Sequence, residues 1–567
     1  MNNIFIQLAI ILGLSSTLGL VTYKLKMPLL IAYLVGGLLI ALIGIFDVQT
    51  SAALSFLPEI GIAFVLFLVG MELDLREIKS LGRPIILAGI LQVIITSVLG
   101  TFIAQSFGFT LAESIYLGVG LSFSSTIVVI KLLLEKKDLR SLHGKLAVGI
   151  LLLEDLLAVI ILLGLTSTTS VFALGLTQAL PILAFAGKVV LLFSISLILN
   201  HFLLGALFKV VSESAELLFL TALAWCFVFI SIAILMGFSV VIGAFLAGVA
   251  LASSPYHFQI QGKMKPIRDF FVALFFVYLG TKVNFAHISQ TFLPIIIFTT
   301  YAVIVKPTIF VLLFGTLGFR KHTMFRAAIS LSHISEFSLI ILLVGLDAGL
   351  VSQEALTVIA SSGVLSIMIA SLAISRSNQI YKLITRWVGF FERSNIYHTG
   401  DIKPAELEDH IVIIGAHRVG GEIVRFLERE KKSLVVLDFN PHQVEILLGE
   451  GVKVIYGDIE DPEVLDMLNL QKAKMVISTA SDVNANKALL EGLKLRHINI
   501  PIVARAETMK DAQILYQSGA DLVIIPEVMA GDLLVDTIKE HLGSKSYFKG
   551  RARIELEKLS RKTLAWG

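Results

Sequence analysis

Glu154 and Asp155 stand side by side in the middle of an otherwise apolar run, Leu146–Leu165 (LAVGILLLEDLLAVIILLGL). A charged side chain at mid-membrane costs about 2.5–3.5 kcal/mol even on a lenient insertion scale, so carboxylates placed there need a task. Neighbouring residues on a helix point about 100° apart. One partner therefore cannot neutralise both acids, and a desolvated carboxylate crowded by a second one can trade a proton for a metal cation. Few other charges interrupt apolar stretches: Lys306 within 299–314, His333 and Glu336 within 327–344, and Lys188 near the outer end of its run, where it can snorkel to the interface. Two runs expected to be solidly apolar carry hydroxyls instead, Leu121–Thr126 (LSFSST) and Ser330–Glu336 (SLSHISE). Paired interruptions of this kind leave half-helix ends at the membrane centre, where dipoles and freed carbonyls can meet an ion. Asp155 and Glu154 are thus the candidate cation and proton ligands, with Ser124, Ser125, Thr126, Ser332 and Ser335 as polar lining.

Positioning these groups requires long apolar helices, and the composition supplies them. The chain has 567 residues, 56% hydrophobic and 16% charged, with mean hydropathy +0.86. A soluble domain carries about 25% charged residues, so a wholly soluble or disordered protein is excluded. Spans of about 17–25 apolar residues are expected near 4–22, 28–46, 57–72, 84–106, 112–134, 143–166, 181–208, 215–236, 239–253, 268–282, 290–315, 324–346 and 354–375, about thirteen in all. Alternate loops hold the basic residues: Lys24/Lys26, Arg76/Lys79/Arg83, Lys136/Lys137/Arg140/Lys145, Lys209, Lys263/Lys265/Arg268, Arg320/Lys321/Arg326 and Arg376/Lys382/Arg386. The intervening loops offer almost nothing but Lys282. By the positive-inside rule the N-terminus is outside and the C-terminal part cytoplasmic. The first apolar run lacks a basic leader and a small-residue cleavage site, which marks it as a retained span. Cys226 is the single cysteine, so no intrachain disulfide or cysteine metal cluster can form.

The charges divide with the environment. Residues 1–400 hold 24 Lys+Arg against 17 Asp+Glu, whereas 401–567 hold 22 against 26. After a polar linker, 394–408, apolar strands alternate with amphipathic helices: 410–414, 434–437, 452–456, 475–478, 502–504 and 522–525. That alternation predicts βαβ units and a parallel sheet over about 409–530. The first turn reads Gly415-Ala-His-Arg-Val-Gly420-Gly421, directly after a strand, and the second strand ends at Asp438, placed for a ribose hydroxyl. His417 stands where the dinucleotide pattern has its middle glycine. No set of residues for hydride transfer accompanies the turn, so the reading is a binding module and not an oxidoreductase. The tail, 531–567, is charged and expected to be helical from about Arg553 to Lys562.

These stretches together resemble the Kef-type branch of the monovalent cation:proton antiporters. The likeness rests on Met27–Gly37 (MPLLIAYLVGG), Phe67–Asp74 (FLVGMELD), Ser124–Glu135 (SSTIVVIKLLLE), His143–Asp155 (HGKLAVGILLLED), and Gly243–Gly248 (GAFLAG) through Arg268–Val277 (RDFFVALFFV), in that order over nearly the whole chain. It implies an all-α polytopic membrane domain, 1–393, with inverted repeats and two broken, crossed helices at Ser124–Thr126 and Ser332–Glu336, followed by an α/β Rossmann-like domain. It also implies that Asp155 binds the ion and proton, that Lys306 is the basic residue facing the site, and that the protein is a homodimer exchanging K⁺, or Na⁺, for protons. Two residues depart from the pattern. Glu154 replaces an uncharged Gln or Asn, or a second Asp, leaving open a second carried proton or a salt bridge to Lys306. His333 replaces a Gln and can serve as a titrating group or as a hydrogen-bonded spectator.

The cytoplasmic part resembles regulatory Rossmann modules of the TrkA-N or RCK type through Val454–Asp458, Val503–Ala506 and Ser518–Glu527. By that likeness Gly415, His417, Arg418, Val419, Gly420, Asp438, Asp458 and Arg505 face NAD(H) or an adenine nucleotide such as AMP or ATP. The segment matching the acidic loop of glutathione-gated relatives, Tyr256–Pro266 (YHFQIQGKMKP), has no carboxylate, so glutathione control is not implied. The expected function is cation–proton antiport biased by a nucleotide. A nucleotide-gated potassium channel is the alternative, although no Thr-Val-Gly-Tyr-Gly filter occurs. A redox sensor is disfavoured by the lone cysteine, and nucleic acid is not an expected partner.

Overall fold

The computed structural model describes residues 4–25, 27–43, 57–72, 82–136, 138, 141–172, 205–211, 214–236, 238, 240–252, 254, 256–282, 288–391, 407–438 and 441–566. Lys188, most of the expected span 181–208, Arg76, Lys79, Lys137, Arg140 and nearly all of the linker lie outside them. The chain divides into two units, Met1–Ile396 and Tyr397–Gly567.

The first unit is helical throughout its described residues: α1 (Ile4–Lys24), α2 (Leu29–Ile43), α3 (Leu57–Glu72), α4 (Gly82–Ser106), α5 (Leu111–Ser122), α6 (Thr126–Lys136), α7 (Leu142–Phe172), α8 (Gly205–Val211), α9 (Ala215–Leu235), α10 (Val240–Ala252), α11 (His257–Lys282), α12 (Ile288–Thr300), α13 (Lys306–Thr316), α14 (Lys321–Ser330), α15 (Glu336–Asp347), α16 (Gln353–Ser375) and α17 (Ser377–Gly389). Six described stretches are long and apolar enough to cross a membrane, and three shorter apolar helices accompany them. Two packing groups emerge. Helices α1, α2, α3, α9, α10 and α11 pack on one another, and α4 to α7 pack with α12 to α16; α16 also touches α2 and α11. Glycines set the closest crossings. A Cβ on Gly37 of α2 would sit 1.9 Å from the Val277 carbonyl oxygen of α11, and one on Gly248 of α10 would sit 2.0 Å from that of Phe67 in α3. Without a hydrophobic drive between helices in lipid, such close approach is how they gain contact.

Four elements differ from the sequence reading. Helix α11 starts at His257, well before the expected 268, and runs through Pro266. The residue four before that proline is Gly262, exposed, so the helical bond that Pro266 cannot donate is missing at the surface. The expected span 290–315 contains a π-helical turn, Tyr301–Val305, between α12 and α13. Helix α17 follows the last span after one residue, where only a basic loop was expected. The tail helix covers Lys545–Trp566, longer than foreseen.

The second unit has a six-stranded, all-parallel sheet: β1 (His410–Ile414), β2 (Leu434–Asp438), β3 (Val454–Tyr456), β4 (Ala473–Ser478), β5 (Ile502–Arg505) and β6 (Leu522–Ile524). Its order is β3-β2-β1-β4-β5-β6. This is the doubly wound arrangement, with the direction of winding reversing between β1 and β4. The helices are α18 (Arg418–Arg429), α19 (Pro441–Gly449), α20 (Pro462–Met467), α21 (Val483–Leu495), α22 (Met509–Ser518), α23 (Pro526–His541) and α24 (Lys545–Trp566). Val412, Val435, Ile455 and Val476, all buried, form the centre of its core.

Candidate functional site

Helices α5 and α6 form one span broken at Phe123–Ser125, and α14 and α15 form another broken at Leu331–Ser335. The two breaks meet. The Ser335 N–H donates to the Phe123 carbonyl at 3.1 Å, the Ser124 hydroxyl to the Leu331 carbonyl at 3.1 Å, and the Ser125 N–H to His333 Nε2 at 3.2 Å. Ser338 donates to the Gly120 carbonyl across the same crossing. A broken helix frees backbone groups that hydrocarbon cannot satisfy, and here each break supplies partners to the other.

Helix α7 brings both acids to the start of α6. Glu154 Oε2 accepts from the Ser124 N–H at 2.6 Å, and Asp155 Oδ2 accepts from the Thr126 hydroxyl at 2.9 Å. Two carboxylates thus face the positive end of one half-helix. They differ in access, since Glu154 is 0% exposed and Asp155 is 8% exposed. Lys306, fully buried, follows the π turn and donates to the His333 carbonyl at 3.1 Å. Its charge bears on Glu154, but no Glu154–Lys306 ion pair occurs among the described residues. In place of the salt bridge that was one of the two alternatives, Lys306 caps the second break, whose freed carbonyl needs a donor. Glu336 opens α15, with the Ser335 hydroxyl 3.5 Å from its Oε2. The Ser335 hydroxyl also caps α15 by accepting from the Phe337 N–H, and the Ser332 hydroxyl turns back to the Ile329 carbonyl.

Three supporting residues were not anticipated. Gln92 of α4 donates to the Ser122 carbonyl at 2.7 Å, closing the end of α5. Ser366 of α16 accepts from the Ile334 N–H at 3.2 Å, and Tyr301 donates to the Thr96 carbonyl at 2.9 Å. Their only sequence signal was a polar residue within a mostly apolar run.

In the second unit the turn after β1 depends on two glycines. Gly415 has φ +81°, and a Cβ on Gly420 would fall 1.8 Å from the Gly415 carbonyl oxygen. Asp438, at the end of β2, accepts from the Ala416 N–H at 2.7 Å, so the acid braces the turn from which a ribose would be read. Thr479, also unforeseen, donates to the Gly415 carbonyl at 2.7 Å. Arg418 and Val419 begin α18, and His417 is exposed just before them. Asp458, just past β3, accepts from the Glu460 N–H. At the ends of β4 and β5 the Ser478 hydroxyl and Arg505 Nε are buried with no hydrogen-bond partner. An open hydroxyl at the winding reversal, beside a helix start and a glycine turn, and an open guanidinium nitrogen one strand further on fit the phosphates and ribose of a nucleotide.

Residues 9–377 match the family model for the transmembrane sodium/hydrogen exchanger. The chain belongs to that family. Residues 411–526 of this antiporter match the TrkA-N domain. It is a multi-pass membrane cation/proton antiporter carrying that domain after its helical part. Among curated relatives it is 27% identical to the "Putative K(+) efflux antiporter KefB" of Alkalimonas amylolytica, over 94% of this chain and 81% of the relative. It is 26% identical to the "Putative cation/proton antiporter YbaL" of Escherichia coli K12, over 91% of this chain and 94% of that one. The crystal structure of the TrkA-N domain of the Escherichia coli inner membrane protein ybaL covers 24% of this chain and 98% of its own, at 22% identity and a TM-score of 0.23.

Proposed function

We propose that Asp155 is the group that holds a proton and a monovalent cation in turn, and that the crossed breaks supply the remaining ligands. The observation that carries this reading is the placement of Asp155 against Thr126 at the start of α6, with Glu154 anchored beside it on the Ser124 N–H. Glu154 has a bound position that an uncharged amide could also occupy, which supports a positioning role for it and leaves Asp155 as the exchanging acid. Hydroxyls and carbonyls of Ser124, Ser125, Thr126, Ser332 and Ser335, with Lys306, His333 and Glu336 balancing charge, complete the site. K⁺ is the favoured cation, in keeping with the K⁺ efflux named for one relative, and Na⁺ is the alternative.

Gly415, Gly420, Asp438, Asp458 and Arg505 would hold NAD(H) or an adenine nucleotide, with the N-terminus of α18 (Arg418, Val419) toward its phosphates and His417 at the rim. The nucleotide supplies binding energy alone, which can shift the membrane unit between states only as far as its affinities for those states differ. A homodimer with its N-terminus outside and the TrkA-N domain in the cytoplasm completes the reading.

The test is the internal pH of proteoliposomes after K⁺ or Na⁺ is added outside. The expected result is cation-driven proton movement that Asp155→Asn abolishes while the variant still elutes as folded protein. Normal exchange in that variant would overturn the assignment of Asp155, and ion flux without proton movement would establish a channel instead. Repeating the assay with a membrane potential separates a spectator Glu154, which leaves the rate unaffected by potential when one cation replaces one proton, from one that carries a second proton.

A further inference from the structure

Helix α17 starts two residues after α16 ends, and α16, with 23 residues, is about 34 Å long at 1.5 Å per residue, enough to cross a hydrocarbon core of about 30 Å. Helix α17 therefore begins at the level of the lipid headgroups. One side of it is fixed to the protein. Ser377 and Val388 are buried, the Ser377 hydroxyl accepts from Lys136 Nζ at 3.1 Å, and the Tyr381 ring packs 5.6 Å from Phe325 and edge-on to His322 at 5.1 Å. The opposite side is open. Leu383, Trp387 and Phe390 are 82%, 78% and 85% exposed, and their i, i+4, i+7 spacing confines them to an arc of about 60° at 100° per residue. Lys382 and Arg386, exposed and also four apart, lie beside that arc, and no carboxylate occurs anywhere in Ser377–Gly389.

We infer that α17 is an interfacial helix that binds anionic phospholipid, its Lys382 and Arg386 meeting headgroup phosphates while Leu383, Trp387 and Phe390 enter the acyl layer beneath them. The lipid surface is favoured over a protein partner by the combination on one narrow face. Cations without an ion pair among the described residues and a largely exposed tryptophan at the end of a span match a boundary where phosphate and hydrocarbon lie a few ångströms apart. Juxtamembrane basic residues draw anionic lipids specifically.

The full-length antiporter reconstituted in phosphatidylcholine vesicles with brominated acyl chains tests insertion. In a Trp566→Phe background, where the buried Trp225 is the one other tryptophan, Trp387→Phe should remove most of the bromolipid-sensitive emission. Titrating phosphatidylglycerol into the detergent-solubilised protein tests headgroup binding. It should raise the melting temperature by several degrees, more than phosphatidylcholine does, and the Lys382→Gln/Arg386→Gln variant should lose at least half of that difference. The charge-keeping Lys382→Arg/Arg386→Lys variant should retain it. Trp387 emission indifferent to bromolipid would overturn the proposal by showing the face covered by protein, a second copy included. A phosphatidylglycerol shift unchanged in the neutralised variant would overturn it by showing insertion without recognition. Neither readout depends on transport.

Discussion

The chain interrupts its regular hydrogen bonding at two kinds of place, the crossed breaks among the spans and the glycine turn after β1, and it repairs them differently. At the breaks, backbone groups are met by side chains from other helices: Gln92 for the Ser122 carbonyl, Glu154 for the Ser124 N–H, Lys306 for the His333 carbonyl and Ser366 for the Ile334 N–H. At the turn, the conformation comes from Gly415 and from the absence of a Cβ on Gly420, with Thr479 and Asp438 as local braces. The difference follows from the solvent. Water can replace a missing partner at the turn, whereas hydrocarbon cannot at the breaks, so the sequence must supply each partner itself. Several buried polar residues near Asp155 thereby have a reason to be there before any ion is considered.

If that contrast is right, the cost of a lost partner depends on its surroundings. The largest effect is expected at the edge of the membrane unit. Asp138, between α6 and α7, takes a 2.7 Å bond from Arg326 and lies 3.5 Å from His143, all three buried. Asp138→Asn should lower unfolding stability by about 3 kcal/mol, the cost of stranding one partner of a buried pair, measured by thermal unfolding. Burial pushes the Asp138 carboxyl up, but the His143 hydrogen bond and the charges of Arg326, His143 and Lys136 outweigh it and hold the group below the ordinary carboxylate range. Its contribution is thus complete above the unfolded value of about 3.9 and is lost as pH falls through the lower folded value. The deficit of the variant should be constant at neutral pH and shrink under strong acid. A deficit near zero at pH 7 would mean that this loop behaves like the water-exposed turn.

An intermediate effect is expected for Gln92→Leu. It leaves the Ser122 carbonyl without its donor and should cost about 2 kcal/mol, seen as a lower melting temperature together with slower cation-driven proton movement. The smallest belongs to Thr479→Val, which removes the donor to Gly415 in the second unit. Solvent can take over, so a loss under about 1 kcal/mol is expected. Equal costs for the last two variants would erase the distinction between the regions.

How much could be read from the sequence follows the same division. The strands were legible within two residues because a parallel sheet writes short apolar runs between turn signals, and β1 was read to the residue. Asp155, Glu154, Ser124–Thr126 and Ser332–Glu336 were legible because clustered polar residues in apolar runs are costly. Their partners were not. Gln92 and Ser122 lie 30 residues apart, and nothing in Gln92 alone points to the hydroxyl-rich stretch that holds Ser122. The π turn left no trace, since its residues, YAVIV, suit an α-helix equally well. Helix α17 was missed because its apolar residues, spread among basic ones after a complete span, give no run long enough to notice. For Lys306 the sequence offered an acid to pair with, and the local geometry offered a carbonyl.

The π turn at Tyr301–Val305 also sets an angular register. Its wide i→i+5 closure, from the Lys306 N–H to the Tyr301 carbonyl, holds one residue more than an α-helical turn would. Were the same residues to close as a plain α-helix instead, everything that follows would turn by about 100°. The Lys306 ammonium would swing off the His333 carbonyl, and α13 would present a different face to α4 and α14. The helix stores one residue of phase, and the aim of its only buried cation depends on it.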